Sequence, residues 1–139
     1  MRPRPGTVVD SSVLLDVFTD DQTWGEWSAE QLVAALERGP LVLNAVVLAE
    51  VSPRFSRLED LRRALPARAL DEPLPDAAAF LAGHAHQAYR RAGGARQAVL
   101  PDFLIGAHAA VTGRPLLTRD PRRVATHIPG TTLISPDVA

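Results

Sequence analysis

The chain has 139 residues, with 15 basic against 16 acidic side chains and a formal charge of −1. This length predicts a single domain over residues 1–139 with a sizeable core, and the charge balance argues against a bulk nucleic-acid binder. There is no cysteine or lysine, which excludes disulfides, thiolate zinc sites and lysine-dependent mechanisms. No apolar run is long enough for a signal peptide or a spanning helix, so a cytoplasmic location is expected.

Short apolar runs alternate with helical patterns through the first half of the chain. Gly6–Asp10 is a β-branched run that ends at an acid, and the apolar residues after it predict a strand-to-helix switch. A second helix, ending near Gly39, is expected to bury a face made of Ala29, Leu32, Val33 and Leu36. The further predicted elements are a strand over Leu41–Asn44, a helix over Ala45–Phe55 distorted near Pro53, a short helix over Leu58–Leu65 and a strand around Ala67–Leu70.

The second half opens with a long helix, from about Asp76 to Ala92, that Gly93 and Gly94 end. Its buried stripe is predicted to contain Ala77, Phe80, Leu81, His84, Ala85 and Ala88, with His84 as a core histidine. The later elements are a helix opened by Asp102, a strand over Pro115–Thr118, a short helix after Asp120 and Pro121, and a strand over Thr131–Ile134. Strands joined by helical crossovers predict an α/β fold with a parallel sheet covered on both faces.

Three aspartates stand just before helical runs, where an acid is a preferred N-cap. Asp10, Asp102 and Asp120 can each be explained locally in this way. Glu50 differs, because it lies inside the apolar run AVVLAEV, where an ionised carboxylate is costly to desolvate unless it is paired or binds a cation. A solvated position on an amphipathic helix is the alternative for Glu50.

Taken together, the four acids indicate a shared site. Each lies near the carboxyl end of a predicted strand or the amino end of a neighbouring helix, and these positions share one edge of a parallel sheet. Converging carboxylates repel one another, and a divalent cation relieves that repulsion. All-oxygen ligation favours Mg²⁺ or Mn²⁺ over zinc, and a water polarised by such an ion can attack a phosphodiester.

Four segments also carry a family resemblance. VVDSSVLLDVF, NAVVLAEV, LPDFLIGAHA and PLLTRDPRR, in this order, resemble the four acidic motifs of the PIN-domain ribonucleases. They are most similar to those of the VapC toxins of bacterial VapBC toxin–antitoxin systems. The resemblance extends from Val8 to about Ile134. It implies a three-layer α/β/α PIN-like domain whose central parallel sheet has the strand order 3-2-1-4-5.

The resemblance implies a metal-dependent endoribonuclease that binds Mg²⁺ or Mn²⁺. Its catalytic and metal-binding acids would be Asp10, Glu50, Asp102 and Asp120. Asp10 and Asp102 would be the most direct ligands, and Ser12 and Thr118 match the supporting hydroxyl residues of the first and last motifs. The resemblance further implies an RNA substrate, a homodimer, and a cognate VapB-like antitoxin that feeds a peptide, often bearing an arginine, into the acidic pocket.

Arginines surround the acidic motifs, and contacts with RNA phosphates are expected for some of them. The candidates are Arg96, Arg119, Arg122 and Arg123. Solvated charges near helix ends are the alternative. Between Val124 and Pro129 the sequence departs from the family, where close relatives are expected to have aromatic residues, so the preferred RNA is left open. A PIN-like module that binds RNA or a partner without cleaving is the second functional hypothesis.

Overall fold

The computed structural model of the protein describes residues 4–136, in which five strands alternate with seven α-helices. The strands are β1 (Thr7–Val9), β2 (Leu41–Leu43), β3 (Ala69–Asp71), β4 (Leu116–Leu117) and β5 (Leu133–Ile134). The helices are α1 (Ser11–Phe18), α2 (Gly25–Arg38), α3 (Ala45–Val51), α4 (Leu58–Ala64), α5 (Asp76–Arg91), α6 (Pro101–Thr112) and α7 (Arg122–His127). The predicted domain over residues 1–139 includes residues 1–3 and 137–139, which lie outside the described residues.

All five strands are parallel and lie in the order β3-β2-β1-β4-β5, which confirms the predicted topology. The central strand is β1: Val8 pairs with Val42 of β2 on one side and with Leu116 of β4 on the other. The chain leaves β1 towards β2 and β3 and later returns on the other side, which creates a topological switch point between β1 and β4. The carboxyl ends of the strands share one edge of the sheet, which we call the carboxyl edge.

Helices cover both faces of the sheet, and the predicted α/β/α arrangement is confirmed. On one face α1 packs against α2 and α3, and on the other α6 packs against α5 and α7. Right-handed crossovers explain this division, because the chain reverses direction across the sheet after β3. Among the helices of residues 4–136, none is long and apolar enough to cross a membrane.

The strands are buried on both faces, which is why they read as continuous apolar runs rather than as alternating ones. Val8, Leu41 and Leu117 are almost completely buried. Helix α6 contributes Phe103, another fully buried side chain, and packs directly against β1. This packing fixes the first turn of α6, which carries Asp102, close to the centre of the carboxyl edge.

Two predicted helix faces are wrong in part. The buried residues of α2 are Gly25, Ser28, Leu32 and Ala35, and those of α5 are Ala78, Ala82, Ala85 and His86. Val33 is 58% exposed and Phe80 is 71% exposed. The core histidine of α5 is therefore His86, and the prediction of His84 is wrong. Small side chains face the neighbouring helix because they permit close approach, which leaves the larger apolar residues outside.

Several element boundaries differ from the predictions by a few residues. Helix α3 ends at Val51 and continues as a 3₁₀ turn over Ser52–Arg54, which confirms the predicted distortion near Pro53. Strand β3 begins at Ala69, two residues later than predicted. These shifts do not move any acid away from the carboxyl edge.

Helices α6 and α7 approach each other closely at Gly106. A Cβ atom on Gly106 would lie 2.8 and 2.9 Å from the two γ-carbons of Val124, a buried residue of α7. Carbon atoms do not pack so closely, and the β-branched side chain of Val124 has little rotational freedom to yield. The glycine therefore sets the distance between α6 and the segment that follows Asp120.

Gly106→Ala is expected to lower the free energy of unfolding by about 1–3 kcal/mol, because the added methyl group forces α7 away from α6. Gly83→Ala is the matched control, since a Cβ there meets no described atom within 4 Å. It should raise the free energy of unfolding by about 0.5–1 kcal/mol through helix propensity. Urea unfolding measures both values, and equal stabilisation by the two alanines would contradict the close packing at Gly106.

Candidate active site

Asp10 is the centre of a hydrogen-bonded group at the carboxyl edge. It follows β1 directly and is buried. Its Oδ2 accepts hydrogen bonds from Ser12 Oγ at 2.6 Å and from Thr118 Oγ1 at 2.9 Å. Thr118 follows β4, so the second bond spans the switch point between β1 and β4. The structure thus brings the first acid together with both hydroxyl residues that the sequence singled out.

Asp120 lies at the rim of this group. Its backbone N–H donates to Thr118 Oγ1 at 3.0 Å, so one hydroxyl contacts both the first and the last acidic motif. The Asp120 side chain is 71% exposed, and its Oδ1 lies 3.6 Å from Nη1 of Arg119. The backbone of Asp120 is therefore fixed, whereas its carboxylate extends towards solvent.

Glu50 approaches the group from α3. Its Oε1 accepts a hydrogen bond from Ser11 Oγ at 2.8 Å, and Ser11 is the direct neighbour of Asp10. The residue as a whole is exposed, in line with the solvated alternative, but its carboxylate is in part desolvated. This burial raises the pKa of Glu50; the Ser11 hydrogen bond opposes the rise, and the charges of Asp10 and Asp102 add to it. Glu50 is thus electrostatically part of the acidic group.

Asp102 lies in the first turn of α6. Its Oδ2 is 3.2 Å from Nη1 of Arg123 on α7. Its Oδ1 is buried and accepts no hydrogen bond from any residue between 4 and 136. A buried carboxylate oxygen without a donor is costly unless another group satisfies it. Oδ1 of Asp102 is therefore an acceptor atom at the carboxyl edge that no described residue satisfies.

Burial and mutual repulsion act together on Asp10. Burial is the largest cause that raises its pKa above the usual value, and hydrogen bonds from Ser12 and Thr118 offset part of the rise. The charges of Asp102 and Asp120 raise it further, which shows that these acids lie close enough to interact. A nearby positive charge would stabilise the ionised form of a carboxyl group in this position.

The acidic group fits a hard divalent cation in its chemistry. No three acidic or histidine side chains of residues 4–136 are already arranged to coordinate one ion. The group nevertheless offers only oxygen ligands, includes the unsatisfied Oδ1 of Asp102, and contains an acid, Asp10, whose pKa is raised by burial and by the charges of Asp102 and Asp120. Mg²⁺ keeps several waters and needs only one or two carboxylates, so a ligand set as small as Asp10 and Asp102 is sufficient.

The N-cap alternative is wrong for Asp102 and Asp120, whereas Asp10 does occupy the N-cap position of α1. The N-cap residues of α6 and α7 are Leu100 and Pro121, so Asp102 and Asp120 do not occupy that position. Asp10 does stand before α1, but within the described residues its side chain makes no capping hydrogen bond. Helix capping by a side-chain hydrogen bond therefore does not account for the position of any of the three carboxylates.

Arg119, a predicted phosphate contact, uses much of its hydrogen-bonding capacity inside the protein. Its Nε donates to Oδ2 of Asp16 at 2.8 Å, and Asp16 on α1 is only 3% exposed. Ser28 Oγ of α2 donates to the same oxygen at 2.8 Å. The guanidinium also lies 6.0 Å from the ring centroid of Trp24, and the hydrogen bond to Asp16 raises the pKa of Arg119. Arg119 thus joins α1 and α2 to the end of β4.

The other predicted phosphate contacts differ in their surroundings. Arg123 is paired with Asp102 and lies 5.9 Å from the ring centroid of Tyr89. Arg96, between α5 and α6, and Arg122, at the start of α7, are exposed. These last two are the candidates whose side chains extend into solvent beside the acidic group.

A second polar group, which the sequence did not reveal, extends from the carboxyl ends of β2 and β3 to the residue Arg114 before β4. Asn44 follows β2, Glu72 follows β3, His108 lies on α6 and Arg114 precedes β4. The ring of His108 is 2.9 Å from Asn44 Nδ2 and 2.7 Å from Glu72 Oε1. Arg114 donates to the two oxygens of Glu72 at 2.7 and 3.1 Å. We call these four residues the relay.

A sequence profile of the PIN domain covers most of the chain, matching residues 7–127. The chain belongs to the PIN domain family. PIN-domain nucleases generally use divalent metal ions, which agrees with the oxygen-rich donor set at the carboxyl edge. The matched residues include every acid of the candidate site. No curated protein matches the sequence of this PIN domain.

Solved structures of VapBC proteins share the fold of this PIN domain. VapBC2 from Rickettsia felis, bound to promoter DNA, matches with 15% identity and a TM-score of 0.70, covering 94% of this chain and 98% of that chain. DNA-bound VapBC from Salmonella typhimurium matches with 16% identity and a TM-score of 0.69, covering 95% and 98%. VapC20 from Mycobacterium tuberculosis, a sarcin–ricin loop cleaving toxin, matches with 14% identity and a TM-score of 0.63, covering 94% and 99%. At these identities the likeness is one of fold.

Arg119→Ala is expected to lower the free energy of unfolding by about 2 kcal/mol. The buried Asp16 carboxylate would lose its charged partner and keep the Ser28 hydroxyl, and a buried charge without its counter-ion is costly. Arg122→Ala, at an exposed neighbouring arginine, should change the value by less than about 0.5 kcal/mol. Urea unfolding compares the two variants, and equal effects would show that the Asp16 contact contributes little.

The relay predicts a dependence of stability on pH. Hydrogen bonds from Arg114 and then His108 lower the pKa of Glu72 from 4.5 to about 2. Because the folded-state pKa is depressed, the stabilisation is present above about pH 4.5 and is lost as the pH falls towards 2. We expect about 2 kcal/mol after allowance for solvent screening. Glu72→Gln should remove this part of the pH profile of urea unfolding. The exposed Glu30→Gln should leave the profile unchanged, and a profile that Glu72→Gln does not alter would contradict the prediction.

Proposed function

We propose that the protein is a metal-dependent endoribonuclease that hydrolyses RNA phosphodiester bonds, and that it is the VapC-type toxin of a VapBC toxin–antitoxin pair. The observation that carries the proposal is the carboxyl-edge group, in which Asp10 accepts hydrogen bonds from Ser12 and Thr118 across the switch point. Membership of the PIN domain family and the fold shared with VapBC structures support it.

Asp10 and Asp102 would hold Mg²⁺ or Mn²⁺, with Glu50 and Asp120 completing the acidic group. Bound there, the ion would polarise a water for attack on the phosphodiester and neutralise charge on the phosphate. The acids alone would repel a polyanion, so neutralising them is also what would allow RNA to approach.

The hydroxyl residues would orient the acids. Ser12 and Thr118 both donate to Oδ2 of Asp10, so Oδ1 is the oxygen left to face the ion. Thr118 also receives the backbone N–H of Asp120, and Ser12 accepts the backbone N–H of Arg119 at 3.2 Å. The first and last acidic motifs are therefore held as one unit, which fixes the backbone of Asp120 relative to Asp10.

The arginines near the acidic group are suited to an RNA substrate, and the shared VapBC fold suggests the protein partner. Arg96 and Arg122 are exposed, flank the acidic motifs in the sequence and would contact RNA phosphates. Arg123, paired with Asp102, would place a further guanidinium next to the cleaved phosphate. Like the VapBC proteins whose fold it shares, the chain would bind a VapB-like antitoxin, and we expect it to form a homodimer.

A non-cleaving PIN-like module that binds RNA or a partner is the second candidate. The observation that favours it is that, within residues 4–136, no three side chains are already arranged around one ion site. Binding of a metal ion without cleavage would distinguish this candidate from the nuclease.

Asp102→Asn is expected to reduce Mg²⁺- or Mn²⁺-dependent cleavage of total RNA by about 100-fold or more, because it removes a charged ligand but keeps the shape of the side chain. Asp76→Asn, at the exposed start of α5, is the matched control and should cleave like wild type. Calorimetric titration with Mn²⁺ measures binding separately. An RNA pattern shared by wild type and Asp102→Asn would refute the nuclease, and Mn²⁺ binding in that case would favour the second candidate.

A further inference from the structure

The relay begins at the amino end of α3, the helix that carries Glu50. Oδ1 of Asn44 accepts hydrogen bonds from the backbone N–H groups of Val46 and Val47, at 2.9 and 3.1 Å. These N–H groups lie in the first turn and have no acceptor within the helix. Asn44 is therefore a true N-cap, and its amide orientation is fixed because Oδ1 must face the helix.

This orientation determines the protonation of His108. With Oδ1 on the helix, Nδ2 of Asn44 faces His108 Nδ1 at 2.9 Å, and an amide nitrogen can only donate. Nδ1 must then be the unprotonated acceptor, and the ring hydrogen lies on Nε2. Nε2 is 2.7 Å from Oε1 of Glu72, to which it donates. His108 is completely buried, and its two hydrogen bonds define which ring nitrogen accepts and which donates.

The far end of the relay is anchored by Arg114. Its guanidinium donates to both oxygens of Glu72, and its Nε donates to the backbone oxygen of Pro5 at 2.9 Å. Arg4 adds a positive charge 3.6 Å from Glu72. The low pKa of Glu72, about 2, keeps this carboxylate ionised and able to accept from His108. Each member of the relay is thus oriented by the next, from Arg114 to Asn44.

We propose that the relay is a positioning device for Glu50: Glu72 orients His108, His108 orients the Asn44 amide, and Asn44 fixes the start of α3 so that the Glu50 carboxylate faces Ser11 and the acidic group. The proposal rests on the proposed function, because Glu50 is taken as part of the metal site. It makes His108 a positioning residue that does not touch the ion or the RNA.

Because α3 is short, its N-cap can determine the position of the Glu50 carboxylate. The helix contains seven residues and ends in a 3₁₀ turn, so it has few internal hydrogen bonds to fix its own start. Glu50 is its sixth residue, and Ser11 holds the carboxylate through a single hydrogen bond of 2.8 Å. A rotated or frayed first turn would therefore move Glu50 away from Asp10.

Two substitutions of His108 separate the halves of the relay. In His108→Asn the side-chain oxygen takes the place of Nδ1 and can still accept from Asn44. In His108→Gln the side-chain nitrogen takes the place of Nε2 and can still donate to Glu72, but the acceptor for Asn44 is lost. Both variants remove the ring from the same buried position, so they are matched in packing loss. His84→Gln, at an exposed histidine of α5, is the control.

The first measurement is amide hydrogen exchange at Val46 and Val47, whose N–H groups are bound by the cap itself. We expect roughly fivefold faster exchange in His108→Gln, the factor that corresponds to the usual contribution of an N-cap. His108→Asn and His84→Gln should exchange like wild type. Unchanged exchange in His108→Gln would overturn the proposal, because the cap would then be independent of His108.

The second measurement is the calorimetric affinity for Mn²⁺. We expect about tenfold weaker binding in His108→Gln and a smaller loss in His108→Asn, as is usual when a group that orients a ligand is removed. In a Glu50→Gln background the effect of His108→Gln should disappear. An equal loss in both His108 variants, or a loss that persists without Glu50, would show a general effect on the fold and would overturn the proposal.

The two measurements also separate this proposal from the proposed function. Wild type that binds no Mn²⁺ would overturn the metal site and, with it, the role of Glu50, whereas amide exchange would still decide whether His108 controls the cap. If His108→Gln does not fold, Asn44→Ser keeps a capping oxygen but is too short to reach His108. It should weaken Mn²⁺ binding in the same Glu50-dependent way, and unchanged affinity would contradict the relay.

Discussion

The hydrogen bond from Thr118 to Asp10 joins the two strand ends that flank the switch point of the sheet. Everything else at the acidic group is arranged around it. The Thr118 hydroxyl also accepts a hydrogen bond from the backbone N–H of Asp120. Arg119, which lies between these two residues, donates to Asp16 on α1. Because parallel neighbours come from distant parts of the chain, one buried hydroxyl can hold motifs together that are separated by 108 residues.

The carboxyl edge contains two kinds of carboxylate. Glu72 is fully paired with positive and hydrogen-bonding partners, which lower its pKa to about 2. Burial, and to a lesser extent the charges of neighbouring acids, raise the pKa of Asp10. The first arrangement is stable as it stands, whereas the second stores repulsion that a cation would relieve. Glu72 and the acidic group thus have opposite electrostatic character, and the acidic group is the one that a cation would stabilise.

Local patterns were enough to predict the strands, the crossovers and the positions of the acids. A strand that ends at Asp10 and a helix that opens near Asp102 are short-range signals, and parallel topology then places them at one edge. The reversed face of α5 could not be predicted in the same way. Hydrophobicity favours Phe80 for burial, but close packing against α6 requires small side chains on α5. The sequence of α5 alone does not indicate how closely its neighbour packs.

The polar partners were harder still to foresee. Asp16, His108 and Arg114 each resemble ordinary polar residues on helices or turns, and their partners lie 103, 64 and 42 residues away. Nothing in a single sequence indicates which polar residues will be paired across such distances. Whether a charged group is buried depends on the side chains that the tertiary fold places around it, and these are known only from the structure.

The Asp10–Thr118 bond has a further consequence for the timing of assembly. Asp10 precedes Thr118 by 108 residues, so it leaves the ribosome well before Thr118 and Asp120 do. Strands β1 and β4 cannot pair before that moment, so the contacts with the greatest sequence separation form last and set the pace of folding. A growing chain that has not yet reached Thr118 therefore contains separate acids but no assembled carboxyl edge, and the acidic group forms only after β4 has been made.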